Sequence, residues 1–245
     1  MIGSFLNVVI YRVPLGQNIV FPRSKCPNCS FQLSWFLNIP VLSFLFLKGR
    51  CYKCKQKISF QYPLVEFLCA GAGYFFFPND FQVESIVSSF FYFATFCVFL
   101  CHLFIDIKHR LLPDSLNIFL LLVFLAFSIW RFGWVHSTLG GMVGFLMPLS
   151  ITWLFYKLRG QIGLGGGDIK LFGILGLFLG VKGIIYNIFL SCWIGAIVGG
   201  SLILFKRMKK SESLAFGPYI ILAASVQMFF PSQFQKFVEY VMGRY

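Results

Sequence analysis

The chain has 245 residues, of which 58% are hydrophobic and only 12% charged, with 33 phenylalanines. Soluble domains average about 25% charged residues, so the composition excludes one or two soluble domains and is that of a polytopic membrane protein. The net charge of +13 does not call for nucleic acid, because the basic residues lie in loops between apolar runs, where lipid headgroups and membrane orientation account for them.

The segment 1–11 is apolar but short of the roughly 20 residues that cross a bilayer. It reads as the end of a first span whose beginning is missing, and not as a signal peptide, since the basic region follows the apolar run. Residues 12–62 form the one substantial polar stretch, holding Arg12, Arg23, Lys25, Lys48, Arg50, Lys53, Lys55 and Lys57 and no acid. Apolar runs follow at about 63–78, 85–105, 113–130, 137–156, 168–180, 183–205 and 214–230. Only helices satisfy an open chain's backbone groups within lipid. The expected fold is therefore all-α, with about eight transmembrane helices, the first truncated. The expected divisions are a partial first helix (1–11), a polar insert (12–62), a membrane core (63–230) and a tail (231–245) that suits a short interfacial helix. No low-complexity tract or convincing internal repeat is visible.

Alternate loops differ in basic content. Loops 12–62, 106–112, 157–167 and 206–213 hold 8, 2, 2 and 4 Lys or Arg, against 0, 1 and 1 in 79–84, 131–136 and 181–182. The asymmetry predicts that the first set is cytoplasmic.

The polar insert contains Cys26-Pro-Asn-Cys29 and Cys51-Tyr-Lys-Cys54. Two Cys-x-x-Cys pairs suit a closed tetrahedral zinc site that folds a region too small for its own core. A disulfide pair is the plainer alternative, and a reducing cytoplasm counts against it. Redox work by either pair lacks a nearby thioredoxin-like pattern. Cys69, Cys97, Cys101 and Cys192 fall in apolar runs and read as packing residues.

Only eight acidic residues occur in the whole chain, so an acid at the edge of an apolar run is conspicuous. Asp168 follows Gly165-Gly166-Gly167 and opens such a run, and Asp106 closes another in Phe104-Ile-Asp-Ile-Lys-His-Arg110. A charge at mid-bilayer costs about 2.5–3.5 kcal/mol on insertion scales, so such residues are usually functional. Helix capping is the plain alternative for Asp168. Both acids fall at the cytoplasmic ends of their runs, which makes a joint site plausible. Asp114 rivals Asp106, but an N-cap role before the next apolar run explains it. Glu66 could pair with Arg or Lys at the interface or line the site, and the structural role is favoured. His102, His109 and His136 show no ligand spacing, and no Ser-His-Asp set is arguable from order.

In order, the chain carries Gly3-Ser-Phe-Leu-Asn-Val-Val-Ile-Tyr-Arg-Val-Pro14, the four cysteines, Asn38-Ile-Pro40, Tyr62-Pro-Leu-Val-Glu66, Asp106 with Leu111-Leu-Pro-Asp114, Gly165-Gly-Gly-Asp168 and Phe216-Gly-Pro-Tyr219. Together these resemble the bacterial type IV prepilin leader peptidases, also called prepilin peptidase/N-methyltransferases, which are similar in chemistry to the presenilin group of Gly-x-Gly-Asp intramembrane proteases. The resemblance implies an aspartic endopeptidase of the inner membrane that cuts short basic leaders from prepilin and pseudopilin precursors. It puts the catalytic pair on Asp106 and Asp168, with Gly165 and Gly167 supporting the catalytic loop. It also implies N-methylation of the new N-terminus, usually phenylalanine, using S-adenosylmethionine. No strand followed by a Gly-x-Gly-x-x-Gly turn offers a Rossmann cofactor site.

One aspartate must take a proton from water while the other protonates the scissile carbonyl, and two close carboxyls share a proton. Asp168 opens a helix, where the dipole favours the anion, and Asp106 closes one, where it does not. That contrast predicts Asp168 as the base and Asp106 as the acid. Two other classes remain open at this point. One is a proton-coupled small transporter, with acids near mid-membrane. The other is a zinc-bearing membrane scaffold without chemistry.

Overall fold

The computed structural model describes residues 1–21, 24–26, 28–32, 39–161, 163–205 and 214–242. Arg23, Asn38 of the Asn-Ile-Pro element and the basic loop 206–213 lie outside the described residues. Among the described residues the chain is helical, and its only β pairing is two isolated bridges in the cysteine region. Among the described residues four helices are long and apolar enough to cross a membrane: α4 (Val83–His109), α5 (Asp114–Phe132), α6 (Trp134–Arg159) and α7 (Gly166–Leu204). Shorter apolar helices are α1, which spans Ile2–Arg12 and continues as a 3-10 turn to Leu15, and α8 (Gly217–Phe229). The remaining helices are α2 (Leu42–Phe46), α3 (Gln61–Phe75) and α9 (Pro231–Met242).

The chain forms two compact units, Met1–Ile105 and Asp106–Tyr245. In the first, α1 packs on α3. A Cβ at Gly3 would lie 2.7 Å from the Glu66 Cα, so the two backbones touch. Asn7, buried beside this contact, donates from Nδ2 to the Tyr62 carbonyl at 3.1 Å. Among the described residues no ion pair is seen at Glu66. Its Oε2 accepts the Val41 N–H at 2.8 Å, at a residue whose φ of 59° leaves it outside regular structure.

The second unit is built on α7. The single helical run covers both apolar runs expected at 168–180 and 183–205, but Gly180 interrupts it with φ 65° and ψ −177°. A straight helix of 39 residues would be about 58 Å long, nearly twice the hydrocarbon core. The imidazole of His136 lies directly over Gly180, leaving no room for a Cβ, and its Nε2 lies 3.2 Å from the Phe178 carbonyl oxygen. Phe124, Phe127 and Phe132 surround the Phe178 ring at 5.4–6.1 Å.

α6 meets α7 backbone to backbone. A Cβ at Gly140 would collide with the Gly176 carbonyl, one at Gly176 with the Gly140 carbonyl, and one at Gly144 with the Phe172 carbonyl. Lipid tails are as apolar as the helices, so association inside a membrane relies on such small-residue contacts. α8 is tied to α7 by buried amides: Asn187 Nδ2 donates to Gln227 Oε1 at 3.2 Å, and Gln227 Nε2 donates to the Gly183 carbonyl at 3.2 Å.

Gly176→Val is therefore expected to force α6 and α7 apart, at a cost of at least about 1–3 kcal/mol. Gly200 faces open space, and Gly200→Ala should be neutral or stabilise by up to about 1 kcal/mol. Thermal unfolding in detergent, with the two variants side by side, checks the contrast.

Candidate active site and metal cluster

Asp106 lies in the last turn of α4, where the Arg110 N–H bonds its carbonyl at 2.8 Å. Arg110 then takes a left-handed φ of 54°, and the chain runs extended to Pro113 (φ −63°, ψ 132°) before α5 begins. The Asp106 side chain is buried, only 4% exposed, and its Oδ2 has no hydrogen-bond partner. A buried polar atom left unpaired costs about 1–3 kcal/mol, so its persistence calls for a partner such as water or substrate.

Asp168 is the third residue of α7, because the helix starts at Gly166 behind an extended Gly165 (φ −67°, ψ 145°). From that position an acid reaches back over the helix start. Its carboxylate faces the Gly165 N–H, and a Cβ on Gly165 would sit 3.0 Å from Oδ2. Gly167 is needed for a different reason, since a Cβ there would lie 3.0 Å from that of Leu112. Gly166 and Gly167 are helical, so the loop ahead of Asp168 ends at Gly165.

Both aspartates belong to the second unit, and the Asp106 charge acts electrostatically on Asp168. Two further residues complete the arrangement, neither given a role by the sequence. Gly217, the first residue of α8, packs so closely that a Cβ would fall 2.7 Å from the Asp106 Oδ2 and 3.2 Å from the Leu112 Cδ2. Its N–H faces the Asp106 carboxylate. Leu112 thus separates Gly217 from Gly167, and through them the start of α8 from the start of α7. The signal for Gly217 was present as Gly-Pro opening an apolar run, but no spacing rule links it to an acid so distant in the chain. The start of α8 beside Asp106 sets a second helix dipole against that acid, in addition to the one at the end of α4.

Asp114 does not cap α5. Pro113 takes the N-cap position and Asp114 is the first helical residue, where its Oδ1 accepts from Lys170 Nζ at 2.7 Å.

The four cysteines 26, 29, 51 and 54 converge, with every Sγ within 4.8 Å of the others. Cys26–Cys54 and Cys29–Cys51 are 3.9 Å apart, and all four are free thiols. Tetrahedral thiolates at about 2.3 Å from zinc would stand about 3.8 Å apart, so the cluster fits a metal ion and not a disulfide pair. Although the sequence shows no convincing repeat, the two cysteine pairs are local copies in space. Cys26 N–H bonds the Phe31 carbonyl at 2.9 Å and Cys51 N–H that of Gln56 at 2.8 Å. Ser30 and Lys55 take left-handed φ values of 55° and 59°, and bridges Lys25–Gln32 and Arg50–Lys57 close the two turns. The Gln56 N–H bonds the Cys54 sulfur and pulls its thiol down to about 6. Cys29 also receives an N–H, from Phe31, but burial and the neighbouring thiols outweigh it and push its thiol up to about 11. Crowded thiols share protons in this way until a cation replaces them. Of the remaining cysteines, Cys69, Cys97 and Cys101 are buried and Cys192 is exposed.

Residues 1–78 match the Bacterial Peptidase A24 N-terminal domain and residues 91–200 the Type IV leader peptidase family. Proteins named prepilin leader peptidase/N-methyltransferase are similar along nearly the whole chain. The one from Aeromonas salmonicida (strain A449) is 35% identical over 93% of this chain and 87% of its own length. Those from Stutzerimonas stutzeri and Pseudomonas aeruginosa PAO1 are 34% and 32% identical, over 95% and 96% of this chain and 88% and 89% of theirs. No solved structure matches. The chain belongs to the type IV leader peptidase family.

The Asp114–Lys170 pair is exposed, 64% and 51% respectively, and solvent screening leaves such a pair worth roughly 0–1 kcal/mol. Asp114→Asn should accordingly shift the unfolding free energy by less than about 1 kcal/mol, read by thermal denaturation in detergent.

Proposed function

We propose that the chain is a membrane-embedded aspartic endopeptidase that removes the leader from prepilin-like precursors and then methylates the new N-terminal amine, with Asp106 and Asp168 as the catalytic pair. What supports the assignment of the pair is that Asp106, buried with an unpartnered Oδ2, and Asp168, in the first turn of α7, stand at helix ends within one compact unit. Water attacks the scissile carbonyl carbon while one carboxylate takes its proton, and the other carboxyl protonates the carbonyl oxygen. The tetrahedral species collapses by breaking the C–N bond, and the proton held by the pair passes to the leaving nitrogen. The products are a leader ending in a carboxylate and a mature chain with a free amine. Gly165 and Gly167 allow the close backbone approach this arrangement needs, and Asp114 acts through its ion pair with Lys170, outside the chemistry.

Methyl transfer takes its methyl group from S-adenosylmethionine, as the name of the relatives implies. A strand–turn–helix nucleotide cradle does not serve it, since among the described residues the only β pairing is the two isolated bridges. Zinc is the metal proposed for Cys26, Cys29, Cys51 and Cys54, where it would hold the two cysteine turns together and supply folding energy, without part in the reaction. The reading takes α1, α3, α4, α5, α6, the two parts of α7 on either side of Gly180, and α8 as eight crossings of the inner membrane. The Lys and Arg distribution supports a cytoplasmic four-cysteine insert (12–62) and active site, next to a membrane core over 63–230.

Incubating the purified protein with a pilin-like precursor and reading the new N-terminus by mass spectrometry tests the function. Asp106→Asn and Asp168→Asn are each expected to lower cleavage by at least about 100-fold with insertion intact, because neither acid alone performs both proton transfers. Full activity in either variant, at normal protein level, sinks the aspartic assignment. Metal analysis of reduced protein should find about one zinc per chain, with Cys-to-Ser variants losing stability before turnover. Absence of zinc in freshly purified protein overturns that part.

A further inference from the structure

We propose that Gly217 is a positioning residue for the peptidase reaction: by having no side chain it lets the start of α8 close over Asp106 and hold the carboxyl group in the orientation that proton transfer needs. This rests on the reading of Asp106 as one of the catalytic pair.

Three observations converge on the role. A Cβ at Gly217 would stand 2.7 Å from Oδ2, closer than real Cβ contacts, so any side chain must displace the carboxylate or the helix. The carboxylate, at the end of its side chain, gives way before the helix, so a side chain here turns the acid and leaves the fold in place. α8 is held along its length by the Gln227 bonds to Asn187 and Gly183, and at its start by Phe216, whose ring lies 6.4 Å from that of Phe172 on α7. The second observation is the buried Oδ2 itself, which has no hydrogen-bond partner although the Gly217 N–H faces the same carboxylate. A buried carboxyl oxygen with no partner, held against a helix start, is available for proton transfer to a third molecule. The third is the absence of any conformational need for glycine at this position. Gly217 is not among the glycines with positive φ, so the requirement is for space over Asp106. Phe216-Gly-Pro-Tyr219 is then a helix start shaped to this purpose: Pro218 sits in the first turn, where a missing N–H costs nothing, and Gly217 supplies the donor and the gap.

The test is Gly217→Ala in the full-length protein. Cleavage of a pilin-like precursor should fall at least about 100-fold in kcat, since a displacement near 1 Å at a reacting group has that effect, while KM stays within a few-fold. Methylation of a synthetic peptide bearing the already mature N-terminus, and the unfolding temperature, should both stay near the parent values, because neither needs the Asp106 carboxyl in place. Gly200→Ala, on open surface, serves as the control. Parallel loss of cleavage, methylation and melting temperature would make Gly217 merely structural and overturn the proposal, as would a rise in KM at unchanged kcat. If Asp106→Asn is inactive but Gly217→Ala cleaves normally, only this inference fails. If Asp106→Asn cleaves normally, the catalytic reading beneath it fails instead.

Discussion

Putting a carboxyl group inside an apolar helical protein is the demand to which the rest of this structure answers. A carboxylate without water or a partner is strongly disfavoured, and neutralisation is its usual escape. Here the answer is to place both acids at helix ends. Asp106 closes α4 and Asp168 stands in the first turn of α7, each facing a backbone N–H at the start of a helix. Such positions require other backbones to come within contact distance of the acids. The chain achieves this by leaving side chains out, at Gly217 beside Asp106, at Gly165 beside Asp168, and at Gly167 against Leu112.

The same device assembles the helices that carry the acids. α7 lies on α6 through Gly140, Gly144 and Gly176, with peptide groups in direct contact. Nothing in lipid drives apolar helices together as water does, so this close contact replaces the hydrophobic effect. The buried amides of Asn187 and Gln227 then fix α8 along α7. Both are costly if unpaired, which makes the register between these helices specific. The start of α8 meets Asp106 because its far end is locked in place. The precision of the site is therefore a property of interhelix packing as much as of the loop around Asp168.

How much of this was visible in the sequence follows from the range of the forces involved. Apolar runs reported helices well, since burial in lipid acts on each segment by itself. The cysteine pairs reported their cluster because ligand spacing is local and the chemistry narrow. Scarcity of acid pointed to Asp106 and Asp168. What stayed hidden depended on partners remote in sequence. Asp114 looked like a cap because its local context suits one, yet Pro113 occupies that position and Lys170 of α7 takes the side chain. Glu66 looked structural, but its partner, the N–H of Val41, lies 25 residues away in the chain. The dipoles acting on the aspartates were only half legible for the same reason, since the sequence reveals only the helix each belongs to and not the start of α8 that packs on Asp106.

The two activities have an order that chemistry imposes on the site. An amide nitrogen shares its lone pair with the carbonyl and cannot attack a methyl sulfonium. Hydrolysis makes it an α-amine, whose ordinary pKa of about 7.7–8.0 leaves a useful neutral fraction near neutral pH. But the pair that cuts the bond also delivers a proton to the departing nitrogen. A carboxylate left beside that nitrogen favours the ammonium form, which has no lone pair to give. On the proposed assignment, the proton balance that suits Asp106 and Asp168 for the first step works against the second. On that assignment, methyl transfer proceeds more readily once the amine has moved out of reach of the two acids.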